Sequence, residues 1–145
     1  MKKQEFTCSI SAHITAKEAL EKISHISEWW VENIEGKSKD LHDTFTVHFG
    51  TTWKTFNIIE VIPDKKVVWS VIDCNLPWNT KLKEWNGTKI IWEVSTVNDL
   101  TQITFTHLGL AELDCANQCE NAWNSYIKDS LFKYITQGKG FPNKF

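Results

Sequence analysis

The residues best suited to binding or chemistry in this chain are eight tryptophans, five histidines and four cysteines. The tryptophans are Trp29, Trp30, Trp53, Trp69, Trp78, Trp85, Trp92 and Trp123. Each offers a broad apolar ring with one N–H donor, so several around a concavity would hold and orient a hydrophobic guest. Packed against one another, the same rings would simply be core. Trp69 is in phase with Val67 and Val71, and Trp92 with Ile90 and Val94, so both are expected to face inward toward a helix bearing Trp123. A core and a cavity share one lining, and the alternation does not separate them. His107, in phase with Ile103 and Phe105, is expected to point into the same space. There it would be a hydrogen-bonded structural residue, a polar anchor for a ligand or a general base. His48 is out of phase with Phe45, Val47 and Phe49 and is expected to face solvent, while His13, His25 and His42 fall in no useful pattern.

Other chemistries find less support. Cys115 and Cys119 would share a helix face, but no CxxC or HExxH pattern supplies the further ligands zinc needs, so buried thiols and no metal are expected. No GxSxG, P-loop or GxGxxG motif occurs. Glu60, Glu84 and Glu93 fall on outward strand positions or in loops, which leaves no paired acid and base. No catalytic residue and no cofactor is assigned, and the chain reads more as a binder than as an enzyme. Its net charge is −2, and every cation is lysine, with no arginine. Lysine lacks the planar fork that grips phosphate or a base edge bidentately, so nucleic acid is not an expected partner.

The elements that must position these residues follow from periodicity. Residues 4–14 alternate loosely, with Phe6, Cys8, Ile10 and Ala12 on one face, and predict a strand. "TAKE" at 15–18 fits a capping box, opening a helix with Ala19, Leu20, Ile23 and Ile26 at 3–4 spacing. Trp29 and Trp30 follow in a second short helical turn, before "EGKSKD" breaks the pattern. From residue 43 the period becomes two: "TFTVHFG", "TTWKTFNIIEVIP" and "VVWSVID" predict an antiparallel meander, and "TKIIWEVSTV" with "QITFTHLGL" a further hairpin. Between them lies "CNLPWNTKLKEWNG", whose Asn86-Gly87 is a hairpin-turn signal that would make Lys81–Trp85 a short extra strand. The chain closes with a helix capped by Asp114. Cys115, Cys119, Ala122, Trp123, Tyr126, Ile127, Ser130, Leu131 and Tyr134 lie on one broad face, and Gly138 takes the left-handed position at its end.

This order predicts an α+β fold, with a curved antiparallel sheet of about six strands wrapped around the long C-terminal helix and two short helices after the first strand. No repeat or linker divides the 145 residues, so one domain spanning 1–145 is expected. The opening "MKKQEFTCSISAHIT" has no apolar stretch of signal-peptide length, and no run approaches 18 apolar residues. A cytoplasmic setting, reduced cysteines and no membrane insertion are therefore expected.

"GTKIIWEVSTVNDLTQITFTHLGL" (87–110) followed by "CENAWNSYIKDSLFKYITQGKGFP" (119–142) resembles the START/Bet v 1-like superfamily, also called SRPBCC. Within it the chain is most similar to the C-terminal domain of the activator of the 90-kDa heat-shock-protein ATPase. The resemblance rests on the glycine-threonine start of a strand with Trp92 and on a "TH-x-G" strand end at Thr106, His107 and Gly109. It continues in a Trp123-centred helix, an "SL-x-x-Y" run at Ser130, Leu131 and Tyr134, and a "GKG-x-P" tail at Gly138–Pro142. It implies a helix-grip fold enclosing an apolar cavity, in a superfamily whose members bind lipids, sterols, polyketides or other hydrophobic molecules and include some cyclases.

The leading expectation is a small intracellular binding protein for a hydrophobic, aromatic or lipid-like molecule, monomeric or weakly dimeric. Its expected lining is Trp30, Trp53, Trp69, Val71, Trp92, Val94, Phe105, His107, Trp123, Tyr126, Ile127 and Leu131, with Trp78 and Trp85 in the 74–87 insertion as a lid. The second reading is a co-chaperone-like interaction module in which Trp29, Trp30, Trp78 and Trp85 are exposed to a protein partner such as a chaperone. The third is a cyclase or hydrolase using His107, which would need a polar group within about 3.2 Å of the imidazole.

Overall fold

Period-two alternation places every second side chain of a strand on one face, and here it builds a single sheet with one buried side. The computed structural model describes residues 5–144. Its seven strands are β1 (Glu5–Ala12), β2 (Ile34–Gly36), β3 (Thr44–Phe49), β4 (Thr52–Ile62), β5 (Lys66–Asn75), β6 (Lys89–Val97) and β7 (Leu100–Leu108). All pair antiparallel, in the spatial order β1-β7-β6-β5-β4-β3-β2. The strand beyond the expected six is β2, three residues paired with Phe45–Val47 where the pattern looked broken. Gly36 makes that pairing possible: its φ is +92°, and a Cβ there would lie 2.2 Å from the Thr44 carbonyl oxygen.

Lys81–Trp85 is not a strand. Residues 77–87 form a run of turns and bends, pinned by Leu76 N–H donating to the Leu82 carbonyl at 2.9 Å and Gly87 N–H donating to Val71 at 3.0 Å. The Asn86-Gly87 signal marks a turn, with Gly87 at φ +85°, that returns the chain to β6 rather than closing a hairpin.

The first helices follow the sequence closely. Thr15 Oγ1 accepts from Glu18 N–H at 3.0 Å while Glu18 accepts from Thr15 N–H, opening α1 (Ala16–Ser24). The chain then turns through α2 (Ile26–Trp29), and Ala19, Ile23, Ile26, Trp29 and Trp30 are all buried. After β7, a short 3-10 turn (Leu110–Glu112) leads into α3 (Ala116–Ser125), a π-helical segment (Tyr126–Leu131) and α4 (Phe132–Gln137), which run on without a break. Gly138, at φ +80°, ends the helix as expected.

The long helix lies over the buried face of the sheet, and rings fill most of the space between them. Trp123 meets Phe105 at 4.5 Å and Trp30 at 5.0 Å between centroids. Trp92 packs on Phe105 at 4.9 Å, and Trp69 on Phe45 at 5.1 Å. Each such ring removes roughly 150–250 Å² from water, worth about 4–6 kcal/mol of transfer free energy. Trp29, Trp30, Trp69, Trp85, Trp92 and Trp123 are all at most 2% exposed. No helix among the described residues is long and apolar enough to cross a membrane.

Candidate functional site

The interior is not filled to its end. Where the β3–β4 hairpin, the 76–87 segment and the middle of the long helix converge, a pocket of about 330 Å³ remains. Phe49, Thr52 and Lys54 border it from the hairpin, Trp78 and Trp85 from the 76–87 segment, and Gln118, Cys119, Ala122, Trp123 and Tyr126 from the helix. Trp30 and Asn143 complete the wall. Trp78 is 44% exposed, which brings the pocket to the surface at that side. Asn143 is tied to Trp30, its amide donating to the Trp30 carbonyl at 3.1 Å.

The expected lining is thus divided by the structure into separate neighbourhoods. Trp30, Trp123 and Tyr126 border the pocket together with Trp78 and Trp85. Trp69, Val71, Trp92, Val94, Phe105, Ile127 and Leu131 lie in the packed core without bordering this pocket, and His107 is buried beside them. Trp53 is on the other face of the sheet. In β4 the buried side chains are Thr52, Lys54, Phe56 and Ile58, so Trp53 points away from the helix, with the Lys83 ammonium 4.7 Å from its ring centroid. In the sequence Phe56 and Ile58 suggest this phase. A large ring at 53 and a charge at 54 point the other way.

Trp85 borders the pocket from inside the fold. It is 2% exposed, its Nε1 donating to Cys115 Sγ at 3.3 Å and its ring standing edge-on to His107 at 4.7 Å. Trp29 and Trp30 are buried as well, so Trp78 alone of the four proposed contact tryptophans is exposed. Asp114 does not cap the long helix. The carboxylate of Glu84 accepts from Asp114 N–H at 3.2 Å and Cys115 N–H at 2.8 Å, supplying from another segment what a local side chain was expected to give.

His107 points inward and is fully buried. Two polar groups lie within 3.2 Å of it, and both belong to the core. Trp123 Nε1 donates to Nδ1 at 3.1 Å, and Nε2 meets Thr88 Oγ1 at 2.9 Å. Thr88 in turn donates to the Trp85 carbonyl at 2.7 Å. Burial, helped by the positive charge of Lys54, lowers the His107 pKa to about 3. The ring is therefore neutral, with Nδ1 as acceptor and the proton on Nε2, and it orients Trp123, whose ring borders the pocket.

Lys54 borders the pocket although its sequence context does not mark it. It is 8% exposed, yet its ammonium has no hydrogen bond or ion pair among the described residues. It sits 4.0 Å from the Trp85 ring centroid and 5.0 Å from that of Phe49. Burial lowers its pKa to about 8, while the nearby thiols of Cys119, Cys115 and Cys74 act in the opposite direction. All four cysteines are free and buried, and the hydrogen bond with Cys119, together with burial, holds the Cys115 thiol above its usual range. Among the described residues no group of three His, Cys, Asp or Glu side chains is placed to hold a metal ion. Trp30 and Trp92 each bury an indole N–H without a partner among the described residues, a local cost of about 1–3 kcal/mol apiece.

No protein-family model matches the chain, and no curated protein matches it. Solved structures do. The Aha1 dimer from Colwellia psychrerythraea, determined in solution, is similar at 24% identity and a TM-score of 0.78, over 94% of this chain and 98% of that one. SSP2350 from Staphylococcus saprophyticus is similar at 14% identity and a TM-score of 0.68, over 94% and 95%. DynU16, a protein of the dynemicin biosynthetic locus, gives 13% identity and a TM-score of 0.71, this chain covering 49% of its length. At these identities the likeness is one of fold. The backbone bears out the fold that the resemblance of residues 87–142 implied, the helix-grip fold seen in Aha1-like domains.

Proposed function

We propose that the protein binds a small hydrophobic molecule, one or two fused rings in size, in the pocket between the β3–β4 hairpin, the 76–87 segment and the long helix. The observation that carries this reading is the pocket wall itself. Trp30, Phe49, Trp85, Trp123 and Tyr126 surround about 330 Å³ that the core rings leave unfilled. That volume lies at the small end of ligand pockets, which suits an aromatic guest better than a long acyl chain. Burying roughly 200 Å² of apolar guest surface would contribute about 5 kcal/mol before the cost of association. Exposed Trp78 at the margin would cover the guest on entry. The buried, bridged state of His107 supports a positioning role behind the wall rather than contact with the guest.

The test is titration with a panel of one- and two-ring aromatics and medium-chain lipids, followed by intrinsic tryptophan fluorescence and thermal shift. Aromatic compounds are expected to raise Tm and quench the pocket tryptophans in the wild type. They should do neither in Ala122→Phe, which places a ring in the pocket from the helix side. Absence of any response from the whole panel would sink this reading.

A further inference from the structure

Building on the pocket reading, we infer that the guest carries an anionic head group, a carboxylate or an acidic phenolate, and that Lys54 is the residue that selects it. Among the described residues the wall holds a single charged side chain and no aspartate or glutamate. That side chain, Lys54, reaches the pocket from an inward position of β4 that strand alternation reserves for core residues. A buried ammonium costs several kcal/mol of desolvation unless something offsets it. Two ring faces, Trp85 at 4.0 Å and Phe49 at 5.0 Å, and the nearby thiols of Cys119, Cys115 and Cys74 are what it faces among the described residues, and all are weaker partners than a carboxylate. Seven ion pairs occur elsewhere among the described residues, and none includes Lys54. Its three donors are thus available to a guest, inside walls where a charge-assisted hydrogen bond is worth more than in water. Thr52, Gln118 and Asn143 also border the pocket and can donate to the second oxygen of such a head group. An anion with an aromatic body would place its ring among the indoles and its charge on Lys54 at once.

A neutral amine at this position would be an alternative nucleophile for a carbonyl compound, but the two ring faces favour the ammonium. The burial that lowers the lysine's pKa also makes a bound anion raise it again, so binding and proton uptake are coupled.

The experiment compares 2-naphthoate with its neutral isostere 2-naphthamide on wild type and Lys54→Met, by fluorescence titration at pH 7. Wild type is expected to bind naphthoate at least about tenfold more tightly than naphthamide, as one charge-assisted bond implies. In Lys54→Met the ratio should fall to about one, with naphthamide affinity retained. Naphthoate affinity should also decline above about pH 8 in wild type, where free Lys54 loses its proton, while naphthamide affinity stays level. Thermal melts establish that the variant is folded, and Lys54→Gln serves if Lys54→Met is not. Equal binding of both probes by wild type, or an unchanged ratio in the variant, would overturn the assignment of Lys54 and leave the pocket reading standing. Failure of both probes and of the whole aromatic panel would overturn the two together.

Discussion

Replacing His107 with glutamine should remove a pH dependence of folding whose size follows from the geometry. Because Trp123 Nε1 donates to Nδ1, that nitrogen must keep its lone pair, and the ring proton is on Nε2, facing Thr88. A second proton would set N–H against N–H in a fully buried site. Hence the pKa falls from 6.5 unfolded to about 3 folded. Between those values the unfolded chain holds a proton that the folded chain does not, so stability declines as pH falls. The slope from this group is about 1.4 kcal/mol per pH unit, and it ends near pH 3, where both states are protonated. From pH 7 to pH 4.5 the loss comes to about 2.5 kcal/mol. In His107→Gln the amide oxygen can accept from Trp123 and the amide nitrogen can donate to Thr88, with nothing left to titrate. At pH 7 the variant should lose about 1–3 kcal/mol, since the smaller side chain forfeits the edge contact with Trp85 at 4.7 Å. Urea denaturation at both pH values gives the four free energies, and the carboxylates common to both proteins cancel in the double difference. Wild type should lose about 2.5 kcal/mol more than the variant on acidification. Equal losses would refute the buried, neutral, bridging histidine.

Glu84→Ala removes the acceptor for the Asp114 and Cys115 amides and should cost about 0.5–2 kcal/mol, seen as a lower urea midpoint at unchanged m-value. An unaltered midpoint would mean that solvent caps the helix equally well. Gly140→Ala puts a Cβ 2.7 Å from the Glu28 carbonyl oxygen and 2.9 Å from that of Ser130. It should destabilise by about 1–3 kcal/mol, because both neighbours are backbone, whereas a neutral result would show that the tail moves freely. Trp78→Ala should change stability by no more than about 0.5 kcal/mol, given its 44% exposure, yet weaken aromatic guests several-fold in the same titrations. Full affinity in that variant would remove Trp78 from the site.

Local rules settled much of the architecture. The capping box at Thr15–Glu18, the inward phases of Trp69, Trp92 and His107, and the stop at Gly138 all depend on neighbours a few residues apart, and all are where the sequence put them. The misreadings share the opposite character. Asn86-Gly87 is a hairpin signal only if flanking strands pair, and here the preceding residues are drawn down as Leu76 and Trp85 enter the core. Asp114 has the right side chain for a cap, but Glu84, thirty residues earlier, arrives first. The π-helical segment Tyr126–Leu131 falls where a 3.6-residue stripe suggested an unbroken α-helix, and nothing in the local composition marks it.

For the site the division is sharper. Sequence alone determined that an aromatic-rich sheet would face an aromatic helix, because alternation and helical spacing are properties of short segments. Whether the rings would meet or stand apart depends on how their volumes add up across strands that are distant in the chain. Tertiary structure decided that Trp30, Trp69, Trp92, Phe105 and Trp123 close most of the interior while Phe49, Tyr126 and Trp85 leave one end open. It also decided that Lys54, which reads as an ordinary charged residue beside a tryptophan, is turned inward while Trp53 is turned out. One step of register exchanges the two faces of a strand, and the register of β4 is set by its partners β3 and β5, not by residues 53 and 54.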